Sequence, residues 1–168
     1  MGFVLVLGGA RSGKSDYAQR LGAESGRAVS LIATATAEDD EMVERIRRHR
    51  ASRSASWTTV EEPIDMLAAI QSVRGGDFVI VDCLTLWVAN LLGAGRSGDD
   101  VVRCAEAVAA ELASREGVVV TNEVGLGIVP ANALAREFRD VLGRVNAIFA
   151  NHAHASVLMV AGRRLELA

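Results

Sequence analysis

Short runs of apolar residues alternate along the chain with longer stretches in which apolar and polar residues recur at helical spacing. Such runs are typical of strands that are buried on both faces of a parallel sheet. They cover residues 3–7, 29–33, 57–60, 78–81, 117–121 and 157–160, with 165–167 as a possible edge strand. The alternation predicts an α/β fold in which helices cover both faces of a mainly parallel sheet. Ligands of such sheets bind beyond the carboxyl ends of the strands.

Helices are predicted between these strands, and capping residues indicate where several of them begin. Thr36 and Asp39 match a capping box for a charged helix that runs to about residue 52, and Pro63 is expected to begin a helix that runs to about residue 72. Asp99 or Asp100 is the expected cap of a long alanine-rich helix. Further helices are predicted over residues 16–25, 85–92 and 132–152, and residues 93–98 are predicted to form a mobile surface loop.

Composition narrows the class of protein. The 168 residues are expected to form a single domain, 1–168; half of them are hydrophobic, and the formal net charge is -3. This charge argues against a nucleic-acid partner, and no apolar run is long enough for a membrane span. Cys83 and Cys104 have no spacing typical of a disulfide framework or a zinc site, and the first residues do not resemble a signal peptide. These features favour a cytoplasmic location.

The chemistry begins directly after the first apolar run, with the sequence GGARSGKS. Residues Gly8, Gly9, Ala10, Arg11, Ser12, Gly13, Lys14 and Ser15 satisfy the phosphate-loop pattern GxxxxGK[ST] in its strand-loop-helix setting. Glycines let the backbone N–H groups point at phosphate oxygens, Lys14 reaches the β and γ phosphates, and Ser15 can ligate Mg²⁺. The alternative is a chance glycine turn, which leaves the strand and helix around it unexplained. The sequence therefore predicts a site for ATP or GTP.

A second apolar run, at 78–81, ends in Asp82. A carboxylate in this position can hold Mg²⁺ together with Ser15 or through water. The alternative interpretation is that Asp82 only caps the helix that follows.

His49 lies on a predicted helix that is rich in arginine. Met42, Ile46 and His49 share one face, and the neighbouring arginines are Arg45, Arg47, Arg48, Arg50 and Arg53. A neutral imidazole among guanidinium groups that bind a polyphosphate could attack phosphorus, and the positive charges would lower the histidine pKa. The alternatives are a histidine packed on its helix and a solvated arginine face, and spacing alone does not decide between them.

Three segments together resemble one known family. They are GGARSGKS at 8–15, DDEMVERIRRHR at 39–50 and TNEVGLGIVPANALAREFRDVLGRVN at 121–146, and they resemble the bifunctional adenosylcobinamide kinase / adenosylcobinamide-phosphate guanylyltransferase family of cobalamin biosynthesis. The resemblance runs nearly end to end. It implies a three-layer P-loop NTPase domain of the RecA-like type, and a homotrimer.

The resemblance also implies two reactions at one nucleotide site. A γ phosphate passes from ATP or GTP to adenosylcobinamide, and GMP from GTP is then added to adenosylcobinamide phosphate with release of pyrophosphate. His49 falls on the family's nucleophile, which carries GMP as a phosphoramidate. Residues Ala33, Thr34, Ala35, Arg50, Ala51, Ser52, Arg53 and Glu61 would contact GTP, and Asp82 stands where the family often has Glu.

The TNEVG segment offers less certain roles. Glu123 is a candidate base or metal partner, with a turn carboxylate as the alternative, and Asn122 is a candidate for hydrogen bonding near the phosphates. Gly125 and Gly127 are expected to set a turn. His152 and His154 are interpreted as surface residues, and Trp57 and Trp87 as core or interface aromatics.

Two other functions compete with the bifunctional transferase. One is a P-loop kinase of another small alcohol, with a single activity and a structural His49. The other is a non-catalytic nucleotide-binding module whose arginine helix engages a protein or RNA partner, although the absence of net positive charge weakens the RNA version. The TNEVG segment argues against both.

Overall fold

The computed structural model of the protein describes residues 2–36, 43–44, 47, 50 and 54–167, and it contains one seven-stranded sheet. The strands are β1 (Phe3–Gly8), β2 (Val29–Ala33), β3 (Thr58–Glu61), β4 (Phe78–Asp82), β5 (Gly117–Val120), β6 (Ala155–Val160) and β7 (Arg163–Leu167). They lie in the order β3-β2-β4-β5-β1-β6-β7. All neighbouring pairs are parallel except β6 and β7, which form an antiparallel edge. The predicted α/β class, with its mainly parallel sheet and its edge strand, is confirmed.

Helices cover both faces of the sheet. They are α1 (Lys14–Glu24), α2 (Met66–Ser72), α3 (Leu84–Gly93), α4 (Gly98–Ala113) and α5 (Ala133–His152). Successive residues of a strand point to opposite faces, so Leu5 packs in the cluster formed with α2 to α5, whereas Val6 packs against Tyr17 of α1. The result is three layers with the sheet in the middle.

Both tryptophans belong to these cores. Trp87 is buried in the larger cluster and its indole N–H donates to the Ile64 carbonyl at 2.8 Å. Trp57 packs against the α1 cluster. Of the two residues predicted to be core or interface aromatics, Trp87 is therefore a core residue and Trp57 is partly buried at the edge of the core.

The caps of two helices differ from the predicted ones. The long helix α4 begins at Gly98 and is capped by Ser97, whose hydroxyl accepts from the Asp100 amide. Asp100 returns the interaction to Ser97, so it completes a capping box from inside the helix, and neither Asp99 nor Asp100 is the N-cap. The helix α2 begins at Met66 instead of Pro63, because the carboxylate of Asp65 accepts the amide of Ala68 and starts the helix there.

The predicted helix from residue 36 to about 52 is described only in part. Val43, Glu44, Arg47 and Arg50 are helical. Asp39 of the predicted capping box lies outside the described residues. In the described parts of the chain, no helix is both long enough and apolar enough to span a membrane.

The Ser97–Asp100 capping box makes a pH-dependent contribution to stability. The Ser97 hydroxyl and, to a smaller extent, the Ser97 amide donate hydrogen bonds to the Asp100 carboxylate, and these bonds lower the pKa of Asp100. A carboxyl whose pKa is lowered by folding stabilises the fold above its unfolded pKa of about 3.9, and the contribution is lost as the pH falls through the lowered value. We therefore expect Asp100→Ala to lower the melting temperature most near neutral pH. The difference in melting temperature between the variant and the wild type is expected to shrink below a pH of about 4.

Thermal melts followed by circular dichroism across that range measure the difference. Asp99→Ala is the matched control, because it removes a carboxylate from the same helical turn and leaves the capping box intact. A melting-temperature deficit of Asp100→Ala that stays constant with pH would contradict the assignment.

Candidate functional site

The phosphate loop leaves the carboxyl end of β1 and enters α1. Its backbone takes conformations with positive φ at Gly8 (153°), Arg11 (55°) and Gly13 (93°). Lys14 is 7% exposed, and its ammonium donates to the Gly9 carbonyl at 2.6 Å and to the Ser12 hydroxyl at 3.4 Å. Gly13 is the N-cap of α1 and makes no side-chain cap, so the positive end of the helix faces the loop. This geometry suits a bound chain of phosphates.

The hairpin between β6 and β7 supports the loop from one side. Its turn is Ala161 and Gly162, both with positive φ, and the Gly162 amide donates to the Ser12 carbonyl at 3.0 Å. A Cβ atom added at Gly8 would lie 2.5 Å from the Met159 carbonyl oxygen, and one added at Gly13 would lie 3.3 Å from the Gly162 Cα. The contact between Gly162 and Ser12 was not predicted from the sequence. Gly162 between two apolar segments signals a hairpin turn, but nothing local in the sequence signals what the turn touches.

Register places the predicted Mg²⁺ carboxylate at the same edge of the sheet as the loop. Asp82 is the last residue of β4 and pairs with Val120 of β5, which in turn pairs with Val6 of β1, two residues before Gly8. The N-cap of α3 is Cys83 and the helix begins at Leu84, so Asp82 stands before the cap position and at the end of the strand. Asp82 at the end of β4 and Ser15 at the start of α1 therefore lie at the same edge of the sheet, and both have oxygen atoms that could bind Mg²⁺.

Thr34, a predicted GTP contact, is fully buried at the end of β2. Its hydroxyl accepts from the Cys83 amide at 2.9 Å and donates to the Cys83 carbonyl at 2.8 Å. The Asn90 side chain donates to the Thr34 carbonyl at 2.8 Å. The side chain of Thr34 thus joins the end of β2 to the connection between β4 and α3. Ala33 lies in register with Asp82, and Ala35 follows in the same loop.

Arg50 lies beside the end of β3, at the far side of the same edge of the sheet. Arg50 forms an ion pair with Glu61, the last residue of β3, and both side chains are exposed. Arg47 pairs with Glu44 at 2.7 Å, and the hydrogen bond and charge of that carboxylate raise the pKa of Arg47. Because β3 is four strands from β1, the Arg50–Glu61 pair lies about 19 Å along the sheet from the strand that carries the loop. His49, Ala51, Ser52 and Arg53 lie outside the described residues.

The TNEVG segment continues β5 beside the loop. The Glu123 amide donates to the Gly8 carbonyl at 3.2 Å, so the segment borders the loop on the side away from the hairpin. The carboxylate of Glu123 accepts the Gly125 amide, which is the turn interaction named above as its alternative role. The neighbouring residues Leu126, Ile128, Val129 and Leu134 are exposed.

Comparison with known proteins shows which family the chain resembles. The family model described as cobinamide kinase / cobinamide phosphate guanyltransferase matches residues 4–167. The chain belongs to this family.

Curated relatives agree with the family model over almost their whole length. The bifunctional adenosylcobalamin biosynthesis protein CobP of Pseudomonas aeruginosa is 46% identical over 97% of this chain and 95% of its own. The corresponding protein CobU of Escherichia coli is 41% identical, over 95% of this chain and 96% of its own. The chain therefore spans almost all of these bifunctional proteins.

A solved structure supports the fold assignment. The crystal structure of the RadB recombinase has a TM-score of 0.53 over 94% of this chain and 73% of that chain, at 13% sequence identity. At this identity the similarity concerns the fold alone, and it confirms the RecA-like P-loop architecture.

The motif residues of the family fall into two groups. Loop residues 8–15, Asp82 and Glu123 lie around the carboxyl ends of β1, β4 and β5, whereas Ala33, Arg50 and Glu61 lie on the β2 and β3 side. Among the described residues, no group of three or more His, Cys, Asp or Glu side chains could hold a metal ion. The two C-terminal histidines lie apart from both groups: His152 is 3.3 Å from Glu106 on α4, and His154 is exposed just before β6.

The role of Gly8 at the start of the loop can be tested by adding a methyl group. At Gly8 the φ of 153° and the nearby Met159 oxygen both oppose a Cβ atom, so Gly8→Ala is expected to destabilise the fold by about 1–3 kcal/mol. We also expect it to weaken GTP binding about tenfold or more, which corresponds to about 1.4 kcal/mol. Urea unfolding and titration with a fluorescent GTP analogue measure the two effects.

Gly143 provides the matched control. It is exposed within α5, and a Cβ atom added there would have no neighbour within 4 Å. Gly143→Ala is expected to stabilise the protein by about 0.5–1 kcal/mol and to leave GTP affinity unchanged. Equal GTP affinities in the two variants would contradict the role assigned to Gly8.

Proposed function

We propose that this protein, acting as a single transferase domain, catalyses two successive reactions of cobalamin nucleotide-loop assembly. In the first, the γ phosphoryl group of ATP or GTP passes to the hydroxyl group of adenosylcobinamide. In the second, GMP from GTP is joined to adenosylcobinamide phosphate, which yields adenosylcobinamide-GDP and pyrophosphate. The observation that carries the proposal is the buried Lys14 inside a positive-φ loop, in a chain that belongs to the kinase and guanyltransferase family.

One phosphate loop can serve both reactions. In the kinase reaction it holds the β and γ phosphates while the substrate hydroxyl attacks the γ phosphorus and the nucleoside diphosphate leaves. In the guanylyl transfer the same two phosphates are the leaving pyrophosphate, and the α phosphorus lies beyond the loop, open to a nucleophile. Binding through the loop thus positions a different phosphorus for each reaction.

We propose His49 as the nucleophile of the second reaction. A neutral ring nitrogen attacks the α phosphorus, a P–N bond forms, and the bond to pyrophosphate breaks. A phosphate oxygen of adenosylcobinamide phosphate then attacks the same phosphorus and releases the imidazole. Arg47 and Arg50, which are exposed and lie two residues before and one residue after position 49, support this role, because guanidinium groups near the imidazole would hold phosphate oxygens.

Ser15 and Asp82 suit Mg²⁺, because both offer oxygen ligands at the carboxyl edge of the sheet. Two protein ligands suffice for an ion that keeps several waters and binds substrate phosphates. When bound, the ion would neutralise charge on the β and γ phosphates. Ser15 and Asp82 would fix its place, and Lys14 would donate directly to the phosphates.

We propose the remaining predicted nucleotide contacts as the other wall of the site, including three residues that lie outside the described part of the chain. They are Ala33, Thr34, Ala35, Arg50, Ala51, Ser52, Arg53 and Glu61. Because the Thr34 hydroxyl is engaged by Cys83, we assign Thr34 a role in shaping the wall, and the exposed Arg50 and Glu61 the direct contacts.

The proposal also includes a cytoplasmic location and a homotrimer. Neither Cys83 nor Cys104 forms a disulfide, which suits a reducing compartment. The trimer rests on the family resemblance, and the exposed apolar residues Leu126, Ile128 and Val129 support a surface that another molecule covers.

Covalent labelling tests the histidine mechanism. Incubation with Mg²⁺ and GTP labelled in the α phosphate is expected to give a labelled protein whose label is lost in acid, as a phosphoramidate would be. His49→Ala is expected to show no label. The absence of an adduct in the wild-type protein under conditions that support turnover would overturn the mechanism.

Separate assays of the two reactions distinguish binding from nucleophilic roles. Lys14→Ala is expected to depress both reactions, because the β and γ phosphates are held in both. His49→Ala is expected to retain phosphorylation of adenosylcobinamide and to lose guanylyl transfer. Loss of both reactions in folded His49→Ala protein would assign His49 to nucleotide binding, and a wild-type protein with kinase activity alone would indicate the single-activity alternative.

A further inference from the structure

A buried asparagine lies behind the segment that joins β5 to the phosphate loop. Asn146 is on α5 and is 6% exposed, on a helix face that it shares with the core residues Leu142, Val145 and Phe149. Burying an amide among apolar side chains is unfavourable unless its hydrogen bonds are made. Its partners therefore indicate what the residue does.

Both ends of the Asn146 amide bind the TNEVG segment. The Oδ1 atom accepts from the Thr121 hydroxyl at 2.7 Å, and the Nδ2 atom donates to the Asn122 carbonyl at 3.0 Å. On the other side of the segment, the Thr85 hydroxyl of α3 accepts from the Asn122 amide at 2.7 Å. The backbone of Asn122 is thus held at its N–H by one helix and at its C=O by another.

Asn122, whose backbone is held in this way, lies between two residues that contact β1. The Thr121 amide donates to the Val6 carbonyl at 3.0 Å, and the Glu123 amide donates to the Gly8 carbonyl at 3.2 Å. The Asn122 carbonyl and the Glu123 N–H belong to the same peptide group. Rotation of that group would turn the Glu123 N–H away from the Gly8 carbonyl, where the phosphate loop begins.

We infer that Asn146 is a positioning residue for group transfer: through Thr121 and Asn122 it holds Glu123 against the first residue of the phosphate loop. This inference rests on the proposed function. Affinity for the nucleotide comes mainly from the loop and Lys14, which Asn146 does not touch. Its loss should therefore lower the rate of transfer more than the binding of nucleotide.

Asn146→Asp separates the two bonds with almost no change in shape. The carboxylate still accepts from Thr121, but its second oxygen opposes the Asn122 carbonyl where an N–H group donated before. We expect kcat for phosphorylation of adenosylcobinamide to fall about tenfold to a hundredfold, the range for a misplacement of about 1 Å. The rise in the nucleotide KM is expected to be smaller than the fall in kcat, because the Gly162 amide still holds the loop at Ser12. Burial raises the pKa of the introduced carboxyl, and its protonated form can donate again, so kcat is expected to recover partly as the pH is lowered.

Two further variants act as controls. Phe149→Leu alters a fully buried side chain one turn further along α5, lowers stability and leaves the Asn146 contacts in place. Thr121→Val removes only the hydroxyl and retains the bond from Asn146 to the Asn122 carbonyl, so its loss of kcat is expected to be smaller. If Asn146→Asp does not fold, Asn146→Leu takes its place. Its kcat is then expected to fall as well, but not to recover at lower pH, because leucine has no carboxyl group to protonate.

Hydrogen exchange at the Glu123 amide provides a second measurement that does not depend on activity. Asn146→Asp is expected to increase exchange at Asn122 and Glu123, and Phe149→Leu is expected to leave these amides protected. Unchanged exchange, or equal loss of kcat in Asn146→Asp and Phe149→Leu at temperatures where both are folded, would overturn the inference. A wild-type protein that binds GTP but does not phosphorylate adenosylcobinamide would instead overturn the proposed function, while the exchange data would still test the position of Glu123.

Discussion

The backbone of the phosphate loop is held from both sides by hydrogen bonds from segments next to the neighbouring strands, and the rest of the site depends on this. On the β5 side the Glu123 amide donates to the Gly8 carbonyl, and on the β6–β7 side the Gly162 amide donates to the Ser12 carbonyl. A loop that points its N–H groups at a ligand leaves its carbonyls facing the protein, where they need donors. Residues remote in the sequence supply these donors, so the loop conformation is a property of the sheet as well as of its own glycines.

The two walls of the proposed site differ in how firmly the structure holds them. Around the loop, Lys14 and Thr121 are buried and hydrogen-bonded. At the β3 edge, Arg50 and Glu61 form an exposed ion pair, and such pairs contribute little to stability. A buried phosphate site opposite an exposed Arg50–Glu61 pair suits the transfer reactions proposed above, since Arg50 could exchange Glu61 for phosphate oxygens at small energetic cost.

Most of the sheet and the loop could be predicted from the sequence because their signals are local. An apolar run followed by GxxxxGKS determines β1, the loop and α1 within a few residues. The cap of α4 was predicted wrongly because Gly98 resembles a loop residue, which moved the expected helix start past Ser97. The contacts of Gly162 with Ser12 and of Asn146 with Thr121 join residues far apart in sequence, and no local pattern encodes which residues meet. A polar residue at position 146 among Leu142, Val145 and Phe149 did carry a signal, since a buried amide requires a partner, but the sequence does not name that partner.

The choice of asparagine at this position is itself informative. Apolar side chains of similar size at positions 146 and 121 together would fill the same space without desolvating an amide and a hydroxyl, and replacing both partners of a buried hydrogen bond by packed apolar groups is often neutral or stabilising. Stability alone therefore gives little reason for an amide here. What the amide adds is direction: its acceptor fixes the Thr121 hydroxyl, and its donor sets the rotation of the neighbouring Asn122–Glu123 peptide, which apolar packing would only limit. That peptide lies between Val6 and Gly8 on one side and α3 on the other, so the orientation of one side chain on α5 is transmitted to the point where the strand becomes the phosphate loop.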